Sequence, residues 1–193
     1  MNLVYAFTRV GKGVCVLGAL RNVDADYQLL RGISRKDGFP PDAFFDMNND
    51  FGIKLQDVLK NSKNLLVISE SMRDFFVREG LKDNEILPVA IRDPKGRPVK
   101  NPYFILHQVV LQDCIDLGRT VADRNPINPD IFIDVEQIFI EEDRIDPEVS
   151  IFRPRYHPLM LIVRRDLAER ISAAGFTGIG FGEIEQYDQF ETL

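Results

Sequence analysis

The spacing of apolar residues changes abruptly in the last third of the chain, and the change marks two kinds of element. Leu159 to Val163 is an unbroken apolar run that follows Pro158. A run that short, between a proline and charged residues, suits a strand buried on both faces. The period then lengthens. Leu167, Ile171 and Ala174 recur at steps of four and three, which draws an apolar stripe along one helical face. Asp166 can cap that helix or sit in its first turn, where exposed N–H groups favour an anion. Gly175 stops it, because glycine accepts the left-handed conformation that a helix end often needs. Phe176, Ile179 and Phe181 then alternate loosely with glycines, as in a second strand. The unit reads strand, helix, strand, and it predicts that Leu161 and Phe181 are buried in neighbouring strands.

A fainter echo of this unit lies over residues 65–91. Leu65 to Ile68 is apolar, and Ser69 or Ser71 can cap a helix over 70–79, Ser71 and Asp74 having capping-box spacing. Met72, Phe75 and Phe76 supply its apolar face, Gly80 ends it, and Ile86 to Arg92 follows as a strand. Asp93, Pro94, Lys95 and Gly96 predict a tight turn, with proline presetting φ and glycine supplying a positive one. Val99 to Leu111 then returns as a long strand, giving a hairpin over 86–111 with Pro102 at an edge or bulge. Earlier in the chain, Leu3 to Thr8 and Val14 to Leu20 read as strands. Residues 21–50 read as irregular but pinned by phenylalanines, and Ile53 to Leu59 as a short helix. Later, Cys114 to Thr120 reads as a strand end or turn, 119–130 as a polar loop, Ile131 to Ile140 as one or two short strands, and 141–150 as an acidic turn. With no credible linker, residues 1–193 form a single α+β domain. It has a mainly antiparallel sheet, two short helices that each follow a buried strand, and an acidic tail at 185–193.

Composition narrows the class. The chain has 193 residues, 45% hydrophobic and 28% charged, the balance of an ordinary globular protein. No run approaches the roughly 18 apolar residues of a membrane helix, and the N-terminus has no secretory pattern, so a cytoplasmic location is expected. Cys15 and Cys114 are expected to be buried free thiols.

Charge is unevenly placed. The net charge is −6, yet Asp130 to Glu148 alone holds eight acids against one base, Arg144, and Glu183 onward holds four acids and no base. The remainder of the chain is net positive. This argues against nucleic-acid binding, which wants a basic face, and suits a basic protein partner. The candidate partner-binding residues are Asp134, Glu136, Glu141, Glu142, Asp143, Asp146 and Glu148. The alternative is a solvated acidic loop.

Other candidate chemistry is sparse. Gly175, Gly178, Gly180 and Gly182 follow a helix, whereas a phosphate-binding loop must precede one. Asp46, Asn48 and Asp50 have calcium-loop spacing, but Phe51 and Asp57 occupy the positions that need glycine and glutamate. His107 and His157 sit in no metal-ligand spacing. No catalytic, metal or cofactor site is expected. Arg153, Arg155, Tyr156 and His157 form a compact polar-cationic group that could bind a phosphate or carboxylate through arginine forks. It could equally pair with the acids of 141–148.

Three stretches carry a resemblance: ILPVAI at 86–91, NPYFILHQVVLQDCIDLGRT at 101–120, and IFRPRYHPLMLIVRRDLAERISAAGFTGIGF at 151–181. They resemble a bacterial immunity-protein family of polymorphic toxin systems, the eleventh-numbered immunity family, formerly a domain of unknown function. The resembling features are the Ile115–Asp116 pair, the Phe152–Arg153 pair before a strand and helix, and Thr177, Gly178, Ile179 and Phe181 after that helix. The resemblance spans roughly residues 60–184. It implies a cytoplasmic protein that binds and neutralises a cognate toxin, with no catalytic residues. The readings that compete with it are a small anion-binding protein or enzyme built on the arginine cluster, and an adaptor of a secretion locus.

Overall fold

The computed structural model describes residues 2–188. In chain order the strands are β1 (Leu3–Thr8), β2 (Leu17–Arg21), β3 (Phe44–Met47), β4 (Val58–Leu59) and β5 (Leu66–Ser69), followed by helix α1 (Glu70–Glu79). Next come β6 (Asn84–Arg92), β7 (Tyr103–Gln108), β8 (Leu111–Gln112), β9 (Val121–Arg124), β10 (Phe132–Gln137), β11 (Ile151–Pro154) and β12 (Leu161–Arg164), then α2 (Arg165–Ala173) and β13 (Ile179–Glu183). This is the α+β architecture expected, with each helix directly after a buried strand.

The strands form two large sheets and a ribbon. The six-stranded sheet runs β2-β3-β6-β7-β5-β4, the five-stranded sheet runs β13-β1-β12-β11-β8, and β9 pairs only with β10. Pairing is antiparallel except for β3 with β6 and β8 with β11. Period-two alternation sorts side chains between cores. Val4 and Ala6 of β1, Leu66 and Ile68 of β5, Leu161 and Val163 of β12, and the apolar faces of both helices share a central cluster. Val67 of β5 instead joins a second cluster beside the six-stranded sheet, and Leu3 and Tyr5 of β1 join a third beside the five-stranded sheet.

The two predicted units have the same path. In the first, β5 and β6 both pair antiparallel with β7, which lies between them. In the second, β12 and β13 both pair antiparallel with β1, which lies between them. Leu161 and Phe181 are therefore not in adjacent strands. Each is the register partner of Ala6, one on either side of β1. Leu161 is buried, while Phe181 is half-buried against the central cluster.

Other departures have local causes. The segment 53–59 is extended: Lys54 bridges Val14 and β4 pairs with β5. Val58 and Leu59 enter different clusters, as adjacent residues of a strand do. The strand expected over 14–20 is regular only from Leu17. The strand expected over 99–111 starts only after Pro102, which has no N–H to donate, and ends at Gln108. Beyond it the chain crosses to the other sheet as β8. The loop expected over 119–130 contains β9. Of the acidic tail expected at 185–193, residues 189–193 lie outside the described residues. Among the described residues, no helix is long and apolar enough to cross a membrane.

Candidate functional site

The acidic segment is built on the β9–β10 ribbon and the turn after it. Phe132 and Val135 of β10 point into the third cluster, so the intervening Ile133, Asp134 and Glu136 face outward and are exposed. The register sets Asp134 opposite Asp123 of β9, and like charges in such cross-strand positions repel. The loop joining the strands is held in one shape. Asn125 Oδ1 accepts the N–H groups of Ile127 and Asn128, and Arg124 Nη1 donates to Pro129 O at 2.7 Å. This presents Ile127 at 93% exposure, with Ile133 at 54% on the same ribbon. Because 119–130 reads as a polar loop in the sequence, Asp123 and Ile127 escape sequence reasoning, and Ile133 of the expected 131–140 strands is passed over for its acidic neighbours. The signal that could have found them is the alternation on either side of the Asn125–Asp130 turn.

The seven acids do not share one role. Glu142 and Asp143 are exposed in a short 3₁₀ turn, Glu142–Arg144. Glu142 Oε1 also accepts the Asn2 N–H at 3.3 Å. Glu141 is bound to Arg144 at 2.6 Å, and Arg144 also reaches Asp113 at 3.3 Å. Asp146 and Glu148 converge on Lys82 Nζ, each at 2.8 Å. The hydrogen bonds that the lysine ammonium donates to these two carboxylates hold it well above its ordinary pKa. So 146 and 148 tie the segment to the loop after α1, while 134, 136, 142 and 143 face solvent.

The arginine cluster is split where β11 ends: Arg153 lies in the strand, and Arg155 and Tyr156 lie in the turn that follows Pro154. Arg153, on β11, is 1% exposed. Its guanidinium donates from Nε to Gln108 Oε1 at 3.0 Å, from Nη1 to Pro158 O at 2.6 Å, and from Nη2 to Asn64 O at 2.7 Å. Gln108 ends β7 of the six-stranded sheet, so this one side chain joins the two sheets through amide acceptors. No carboxylate among the described residues pairs with it. Burial pushes its pKa down to about 10, which leaves it a cation at neutral pH. His157 is also buried and bonds Tyr187 Oη through Nε2 at 2.7 Å. Burial pushes it down to about 4, so it is neutral. Tyr156 stacks on Phe132 with ring centroids 5.9 Å apart. Arg155 alone faces solvent, 3.8 Å from Asp113. The four residues do not line one cleft.

The residues that carry the family resemblance hold the scaffold. Ile115 is buried and bridges Ile140, and Asp116 Oδ1 accepts the N–H groups of Gly118 and Arg119 to form a turn. Phe152 is fully buried. Thr177 donates from its N–H (2.9 Å) and hydroxyl (2.8 Å) to Asp57 Oδ2. Gly178 passes so near the backbone that a Cβ there would lie 2.2 Å from Val58 O. Among the described residues no three His, Cys, Asp or Glu side chains are placed to share a metal ion.

Two comparisons with known proteins bear on these features. Residues 12–186 match the family described as Immunity protein family (Imm11). That match takes in β2, β3 and β4, which the resemblance over 60–184 leaves out, and begins after β1. No curated protein matches the chain.

Proposed function

The chain belongs to the immunity protein family Imm11, and from that premise we propose that it binds a cognate toxin in the cytoplasm and neutralises it by covering the active site. The contact surface in this reading is the outer face of the β9–β10 ribbon with the following turn. Asp134, Glu136, Glu142 and Asp143 supply negative charge, and Ile127 and Ile133 supply apolar anchors. One observation supports it above others: exposed acids and exposed large apolar side chains share an ordered ribbon. A basic groove on the toxin would relieve the repulsion between Asp123 and Asp134. Charges of this kind act mainly through on-rate and salt dependence, and apolar anchors through off-rate. The protein would act by binding, without catalysis and without a cofactor.

The test uses the toxin that co-purifies from the native host. Glu136→Lys, Glu142→Lys and Asp143→Lys together should weaken binding and flatten its salt dependence. Circular dichroism and melting should stay as in the parent, because these side chains are exposed. Affinity unchanged at both low and high salt sinks the acidic-surface reading.

A further inference from the structure

Away from the acidic ribbon, a cleft of about 590 Å³ opens at the end of β1. Its apolar walls are Phe7, Val10, Val16 and Phe51, and Thr8, Arg9 and Lys60 add polar groups. Two of the wall residues are large hydrophobics left open to solvent, Val10 at 39% and Phe51 at 49% exposure. Arg9 lies with its guanidinium 5.7 Å from the centre of the Phe7 ring. Among the described residues no carboxylate pairs with Arg9, although this chain satisfies most of its other arginines with acids or carbonyls. Thr8, also in the lining, is 9% exposed, and its hydroxyl is buried without a hydrogen-bond partner. Clefts of this size with apolar walls and a few convergent polar groups are the usual form of a small-ligand site.

We propose that this cleft is a binding site for a small monoanion with an apolar body, its charged group held by Arg9 and its body lying between Phe7, Val10 and Phe51. The walls offer apolar area that water covers poorly, and the guanidinium offers a fork of donors for a carboxylate or sulfonate. A neutral ligand would leave Arg9 as it is, and an anion without an apolar body would leave the walls wet. The proposal is independent of the toxin-binding reading.

The probe is 8-anilinonaphthalene-1-sulfonate, with uncharged N-phenyl-1-naphthylamine as its counterpart. The sulfonate should bind the folded protein saturably at one site. Phenylacetate should displace it, and phenylacetamide should not. Arg9→Gln should weaken the sulfonate roughly tenfold, the worth of one charge-assisted hydrogen bond, and leave the naphthylamine unchanged. Arg9→Lys should recover part of the loss. Phe51→Ala should weaken both probes. Arg9 and Phe51 are exposed, so melting of these variants should match the parent. Non-saturable binding, equal displacement by the amide, or an Arg9→Gln variant that binds the sulfonate like the parent overturns the proposal.

Discussion

The β5–α1–β6 and β12–α2–β13 units follow one path and differ in how their helices begin. Helix α1 starts in a network. Ser69 Oγ accepts the Met72 N–H, and Asp57 Oδ1 accepts from the hydroxyls of Ser69 and Ser71. The same carboxylate holds Thr177, which leads into β13 of the other unit. Helix α2 has no side-chain cap at Arg164. That arginine is spent on the carbonyls of Val149 and Asp146, and Asp166 in the first turn pairs with Arg170 on the surface. The exits are alike: Gly80 at φ 63° and Gly175 at φ 75°. The difference teaches that α1 is anchored at its start by a residue outside its own unit, whereas α2 is held mainly by its apolar face. Arg170 of α2 also reaches Glu79 of α1 at 3.0 Å, so the helices meet at a surface ion pair as well as in the shared core.

The most damaging change should be at the link between the sheets. Arg153→Ala leaves a cavity, strips the buried Pro158 carbonyl and the buried Gln108 side-chain oxygen of this donor, and removes the bond to the part-buried Asn64 carbonyl. Unsatisfied buried groups cost about 1–3 kcal/mol each, so a loss of at least about 3 kcal/mol is expected in urea unfolding. Arg153→Lys should recover little, because an ammonium cannot reproduce the planar fork. A lysine variant as stable as the parent would show that charge alone, without the fork, joins the sheets.

Next in size is the start of α1. Asp57→Ala should cost about 1–2 kcal/mol, because it removes several hydrogen bonds at partly exposed positions. Asp166→Ala in the matching turn of α2 should cost only about 0.5 kcal/mol. Equal losses would erase the contrast drawn between the helices. The contrast also has a pH signature. Burial raises the Asp57 pKa, but the bonds from the Thr177 backbone, Ser69, the Thr177 hydroxyl and Ser71 outweigh it, and the net shift is downward. A carboxylate with a depressed folded pKa stabilises the fold above the ordinary aspartate range, and that contribution is lost as pH falls through the folded value. Acid titration of the melting temperature should therefore fall less steeply in Asp57→Ala than in the parent.

The exits should show no such contrast. Gly80→Ala and Gly175→Ala should each cost about 1 kcal/mol, from the left-handed backbone alone, since a Cβ at either position meets nothing within 4 Å. A clear inequality between the two melting shifts would mean that the exits are not equivalent after all.

Near neighbours along the chain dictate the features that could be read from the residues alone. Helix α1 runs over the residues its serine, its apolar spacing and its glycine mark out, and α2 ends at Gly175. The repeated strand–helix–strand order was legible for the same reason, as was the family, through short motifs around residues packed into the scaffold. Long-range packing, by contrast, set where the charges went. Arg153 and Arg155 stand two apart, yet Arg153 faces the interior because Gln108 Oε1 and Asn64 O, 45 and 89 residues away in sequence, are placed to receive it, while Arg155 lies in the turn past the end of β11. The strands at β1 and β7 and the β6–β7 hairpin were legible, but the insertion of β7 between β5 and β6 and of β1 between β12 and β13 was not, since it depends on pairings between segments that share no local signal. The helix expected over 53–59 failed on the same ground: its carboxylate, Asp57, bonds side chains 12 and 120 residues away, and those partners hold the segment extended.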